Sequence, residues 1–148
     1  MNASDADIAL IAHVIQLSVA PVFLISGIGA LLAVVVTRLN RVIDRARSVE
    51  GSWSGLDDAA RAAARKELAV LAKRARLASW AINACAAAAL LVCLVIATLF
   101  IDAFFGTRLR WVVGMQFIVS MFILVFGLAC FLREVYFATH SLRIGPPA

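Results

Sequence analysis

Few side chains in this sequence have the chemistry to react, and their positions limit what that chemistry can be. Cysteine apart, His13 is the ionisable side chain that falls inside the charge-free runs of the chain, and Gln16 follows one helical turn later. An imidazole and an amide on one helix face at membrane depth are candidates for a proton or ion path. Asn83 and Gln116 lie in similarly apolar surroundings and would extend such a path if they shared an axis. The run over residues 8–37 would be about 45 Å long as a helix, against ~30 Å of hydrocarbon, so His13 also suits the outer interface.

Other reactive groups lack partners. Cys85, Cys93 and Cys130 have neither a Cys-x-x-Cys spacing nor a nearby His, which makes them small apolar residues and predicts no disulfide, metal or cofactor. No Asp or Glu stands within an apolar run to serve an intramembrane aspartyl protease. Ser26 has no activating base, since His13 lies several turns away on the same helix. Gly27-Ile28-Gly29-Ala30 has no Lys and follows no strand, so it is not a phosphate loop. No catalytic site can be assembled, and the expectation is a non-enzymatic protein.

The elements that carry these residues follow from charge. The chain has 148 residues, 64% of them hydrophobic and 16% charged, with a mean hydropathy of +0.97. A soluble domain is nearer half apolar. No Asp, Glu, Lys or Arg occurs between Asp7 and Arg38, between Arg76 and Asp102, or between Arg110 and Arg133. Each gap is long enough for a helix to cross hydrocarbon. The sequence predicts an all-α membrane protein, a single polytopic domain over 1–148 with transmembrane helices at about 11–37, 77–101 and 111–132. The acidic start, with Asp5 and Asp7, is unlike a signal peptide, so the first apolar helix is expected to be retained.

Basic residues set the expected orientation. The connection 38–76 holds Arg38, Arg41, Arg45, Arg47, Arg61, Arg65, Lys66, Lys73, Arg74 and Arg76 against five acids, whereas the other side has Arg108 and Arg110. The positive-inside bias puts this connection and the tail 133–148 in the cytoplasm, and the N-terminus outside. Trp80, Trp111 and Tyr136 stand at span ends, as interfacial aromatics do.

The spacing of Leu39, Val42, Ile43, Ala46 and Val49 continues the first helix beyond the span until Gly51-Ser52-Trp53-Ser54-Gly55 interrupts it. Ser54 with Asp57 reads as the N-cap signal of the next helix, and Asp57 with Arg61 as an i,i+4 pair. The first two spans are thereby expected to extend into a cytoplasmic helical hairpin over 38–76. The third helix should run past Arg133 through Val135, Tyr136, Thr139 and Leu142, until Gly145-Pro146-Pro147 stops it.

Within the first span, Pro21 removes an amide donor and crowds the Leu17 carbonyl, making it a candidate hinge that Ser18 could help to satisfy. Ser26, Gly27, Gly29 and Ala30 are candidates for close helix packing, and Ser79, Asn83, Thr98, Gln116 and Ser120 for interhelical hydrogen bonds. Arg38, Arg41, Arg45, Lys73, Arg74 and Arg76 are candidates for contact with anionic lipid or a protein partner, at about 1 kcal/mol per charge near the bilayer. Nucleic acid is not expected, because the topology bias accounts for the charge. Arg133 and Glu134 are candidates for an interhelical ion pair, with Glu134 a counter-ion for Arg38 or Arg41 at the same level.

The segments APVFLISGIGALL (20–32), RLNRVIDRAR (38–47), LLVCLVIATLF (90–100) and FLREVYFATHSLRIG (131–145) resemble a family of small bacterial membrane proteins, domain of unknown function 2721. The resemblance implies a bacterial multi-pass membrane protein and brings no catalytic residues; the expected location is the inner membrane. With the residues above, it leads to a non-catalytic, self-associating membrane protein whose basic hairpin is an interaction or regulatory surface. The alternative is a homo-oligomeric ion channel or pore lined by the Pro21-kinked first helix, with His13 and Gln16 near its outer mouth.

Overall fold

The computed structural model describes residues 3–106 and 109–140, with side chains described for residue 8 and for 11–106 and 109–138. The side chains of Asp5, Asp7 and Thr139, together with Arg108, Leu142 and the Gly145-Pro146-Pro147 stop, lie outside the described set. Three long α-helices account for nearly all of it: α1 over Ala3–Gly51, α2 over Asp58–Phe105 and α3 over Arg110–His140. All three are long and apolar enough to cross a membrane, and among the described residues there is no strand. The molecule is an all-α, multi-pass membrane protein.

Helix α1 begins before the expected span and continues through Pro21. Ser18 does not satisfy the carbonyl of Leu17 as anticipated; its hydroxyl donates to Val14 O at 2.8 Å. The other hydroxyls behave alike. Those of Thr37 and Thr98 donate to the carbonyls of Ala33 and Leu94 four residues back, and that of Ser120 to Phe117 three back. The expected interhelical bonds from Thr98 and Ser120 are therefore corrected to bonds within their own helices, where a carbonyl of the preceding turn is always in reach.

Burial follows a period that propensity alone does not reveal. On α1 the buried positions include Val14, Pro21, Ile28, Val35, Val42 and Val49; on α2, Ala64, Leu71, Ala78, Cys85 and Val92; on α3, Ser120, Gly127 and Glu134. Each series advances by seven residues, the spacing of a knobs-into-holes seam. Helix α2 adds Ala81, Ala88 and Val95, completing its three-and-four alternation. The seams are rich in Ala and Val, whereas Phe23, Leu90, Phe122 and Val125 point outward, each more than 60% exposed. Small residues inside and large apolar ones outside suit helices solvated by lipid, which pack by close approach and have no water to escape.

The chain divides into two compact units. The first comprises the described residues of Met1–Leu32 and Ala84–Val125. Its core joins Ile28, Cys85 and Ala88, flanked by Leu24, Leu31, Leu32, Ala89, Ile123 and Leu124. At the α2–α3 connection, Gly106 closes α2 with φ +62°, a left-handed conformation that glycine adopts without strain. Asp102 Oδ1 then accepts the amide of Leu109 at 2.7 Å, which caps the entry to α3.

The second unit comprises the described residues of Ala33–Asn83 and Phe126–Ala148. Here α1 passes to α2 through a short 3-10 turn, Trp53–Gly55, preceded by the Ser52 hydroxyl donating to Val49 O at 2.9 Å. Asp57 caps α2, accepting the amide of Ala60 at 2.8 Å. Ser54, expected in that role, lies inside the 3-10 turn. Arg61 pairs at 3.4 Å with Asp58 and not with Asp57, whose carboxylate is committed to the cap. Asp57→Ala should cost about 1 kcal/mol through the lost cap, whereas Ser54→Ala should be neutral; chemical unfolding in detergent checks both.

Candidate functional site

The most organised polar feature belongs to the second unit and is built on the seam of α3. Seven residues beyond Gly127, that seam reaches Glu134, which is 1% exposed. A carboxylate so deeply placed needs partners, because desolvating it unpaired costs several kcal/mol. It has two. Arg38 of α1 donates from Nε to Oε2 at 3.2 Å, and Arg74 of α2 donates from Nε and Nη2 to Oε1 at 3.1 and 2.9 Å. One carboxylate thus ties all three helices, with both of its oxygens engaged. The Arg38 guanidinium also lies 5.9 Å from the centroid of the Phe131 ring, a cation–π contact on its apolar side.

The bridge forms one wall of a groove. Arg41 and Arg45 follow Arg38 along one side of α1, Arg74 faces them from α2, and Val42 and Leu71 supply a buried apolar floor. The groove encloses about 350 Å³. Arg45 donates to Glu67 Oε1 at 2.7 Å, but both side chains are largely open, and such a pair contributes at most about 1 kcal/mol. Further along the same unit, the Arg65 guanidinium covers the Trp53 ring at 5.7 Å. Four of the six basic residues singled out by sequence line this single groove; Lys73 and Arg76 are exposed elsewhere on α2.

Of the residues considered for an interhelical ion pair, the structure brings together Glu134 and Arg38; among the described residues neither Arg41 nor Arg133 pairs with Glu134. Arg133 is exposed and rests over the Phe137 ring at 5.8 Å, because adjacent helical residues diverge by about 100° and cannot share the buried face. Arg74 is the partner that sequence reasoning missed. Its position just before the second charge-free run puts it at the same level as Arg38, just after the first, and that symmetry was the available signal.

Within the first unit the candidate polar-path residues do not share one cleft. In the first unit a cleft of about 830 Å³ is lined by His13, Asp102 and Arg110 together with apolar residues, but neither Gln16 nor Gln116 lines it. Gln16 is exposed, and Gln116 Oε1 is buried without a hydrogen-bond partner among the described residues. Asn83, in the second unit, is exposed. Ser26, Gly27, Gly29 and Ala30 are also exposed, and a Cβ added at Gly27 or Gly29 would meet nothing within 4 Å. Among the described residues nothing packs closely against Gly27 or Gly29, and Leu24, Ile28, Leu31 and Leu32 belong to the core of this unit.

Among the described residues no three His, Cys, Asp or Glu side chains are grouped to hold a metal ion. No curated protein and no solved structure matches the sequence. The family comparison is positive: residues 18–144, from the first span through the groove and Glu134, match the model described as protein of unknown function (DUF2721), and the chain belongs to that family.

Proposed function

We propose that this protein is a non-catalytic, self-associating component of the bacterial inner membrane, whose basic helical hairpin forms an interaction or regulatory surface at the cytoplasmic face. The observation that carries the reading is the Glu134 bridge. By fixing Arg38 and Arg74 on a buried carboxylate, it gives the basic segments of α1 and α2 a rigid base. Cations presented on rigid elements lose less conformational freedom on binding than cations on a loop. The excess of Lys and Arg over acids between residues 38 and 76 supports the cytoplasmic assignment, with the N-terminus outside and anionic lipids as the nearest partners. The exposed Ser26, Gly27, Gly29 and Ala30 support self-association, since such a stripe accepts a neighbouring helix closely.

Three measurements test this. A cysteine placed at exposed Ser54 should react with a membrane-impermeant maleimide in inverted vesicles and not in intact cells. Cross-linking in native membranes should trap oligomers, and the purified protein should carry no ion flux in liposomes. Labelling of Ser54→Cys from outside, absence of cross-linked species, or a flux abolished by His13→Ala would overturn the reading.

A further inference from the structure

We propose that the arginine groove of the second unit is a binding site for a phosphate group, with the phosphodiester headgroup of an anionic lipid as its source. The inference rests on the reading of the basic hairpin as an interaction surface and names the chemistry of its ligand.

The argument begins with charge. Arg38, Arg41, Arg45 and Arg74 line the groove, and the carboxylates bound to them are Glu134 and Glu67. Four cations against two anions leave two positive charges unmatched. The next element is directional. Arg38 uses only Nε on Glu134, so both of its Nη groups keep their donors. Among the described residues, Arg41 makes no hydrogen bond or ion pair. The free guanidinium donors of Arg38 and Arg41 on α1, with the charge of Arg74 facing them from α2, match the several oxygens of a phosphate better than a single-point anion. Because Glu134 already holds Arg38 and Arg74 in place, the free protein has lost the freedom that a phosphate would otherwise have to remove.

Position selects the lipid. Arg38 is the first charge after the apolar run 8–37, and Arg74 and Arg76 are the last before the run 77–101. The groove therefore stands where the apolar segments end, which is headgroup level for a membrane-spanning helix. Its floor is apolar, formed by Val42 and Leu71, both already buried within the chain.

Native mass spectrometry of the full-length protein in mild detergent tests the site. The probes are phosphatidylglycerol, phosphatidylcholine of the same chain length, and inorganic phosphate as a soluble competitor. Wild type should retain phosphatidylglycerol in preference to phosphatidylcholine. Arg41→Ala should weaken that retention about tenfold or more, the loss expected from a charge-assisted hydrogen bond. Arg47→Ala removes the same charge from an exposed position outside the groove and should leave retention within about twofold, as a screened surface charge does. Arg41 lies outside the Glu134 bridge, so its substitution spares the fold. Equal losses in Arg41→Ala and Arg47→Ala would overturn the site and leave the broader interaction surface standing. Retention of neither phospholipid nor inorganic phosphate would overturn it as well. Phosphate that binds wild type but not Arg41→Ala, without any retained lipid, would support the phosphate site and assign it a soluble source.

Discussion

Glu134→Ala is expected to destabilise the detergent-solubilised protein by about 3–5 kcal/mol, the cost of breaking a buried ion pair from one side. The carboxylate is the common partner of Arg38 and Arg74, so its removal leaves two guanidiniums beside an apolar seam with nothing to accept from them. The arginines are 35% and 20% exposed in the side chain, and solvent reaches them after the loss, which draws the figure toward the lower end. Arg74→Ala should cost more than Arg38→Ala, because Arg74 gives two hydrogen bonds to Arg38's one and is the less exposed. A triple replacement of Arg38, Arg74 and Glu134 by apolar residues of similar volume should recover most of the loss, since a buried triad contributes geometry more than net stability. Unfolding midpoints across the series decide the matter. Glu134→Ala within about 1 kcal/mol of wild type would show that the bridge is not formed under those conditions.

Ile28→Ala should be the most costly apolar truncation in the first unit, at about 2–5 kcal/mol. Ile28 is 2% exposed and packs with Cys85 and Ala88, so shortening it empties the centre of the cluster. In lipid the removed methylene groups lose packing contacts without an equal loss of transfer energy, which again favours the lower half of the range. Phe23→Ala, on the same helix but at 73% exposure, deletes a larger side chain and should be close to neutral. The contrast is sharp because size alone would rank the two oppositely. Similar losses at both positions would mean that α1 presents a different face to its neighbours.

Charge made the existence of the helices legible. Three runs free of Asp, Glu, Lys and Arg stand out in any reading of the chain, and each lies within one of the long helices. The buried faces were much harder to see. Outside the spans, Val42 and Val49 contrast with Arg41, Asp44 and Arg45, and their spacing marks the inner face of α1. Inside the spans nearly every residue is apolar, so Ile28 and Phe23 give the same signal although one is core and the other lipid-facing. The seven-residue series was present all along; on α3 it reads Ser120, Gly127, Glu134, without a large apolar side chain. Small and polar residues at that spacing were the usable clue, since a lipid-facing stripe has no reason to contain them. Attention to residue type led instead to Gly27 and Gly29, which lie on the outer surface. Of the candidate site, Arg38 and Glu134 were within reach because both flank apolar runs, whereas Arg74 required pairing two runs that are separated in the chain.

The placement of Glu134 also bears on how the protein is made. Its contacts with Arg38 and Arg74 span 96 and 60 residues of sequence, and the acceptor comes last. A ribosome therefore delivers both arginines to the bilayer before the carboxylate that satisfies them exists, since synthesis proceeds from the N-terminus. Until α3 inserts, those guanidiniums must be accommodated by water or lipid phosphate at the membrane surface. Completion of the third helix replaces that temporary solvation with an internal one. The last span to emerge is thus the one that locks the first two, and a nascent chain halted before residue 134 carries two basic groups still lacking their internal anion.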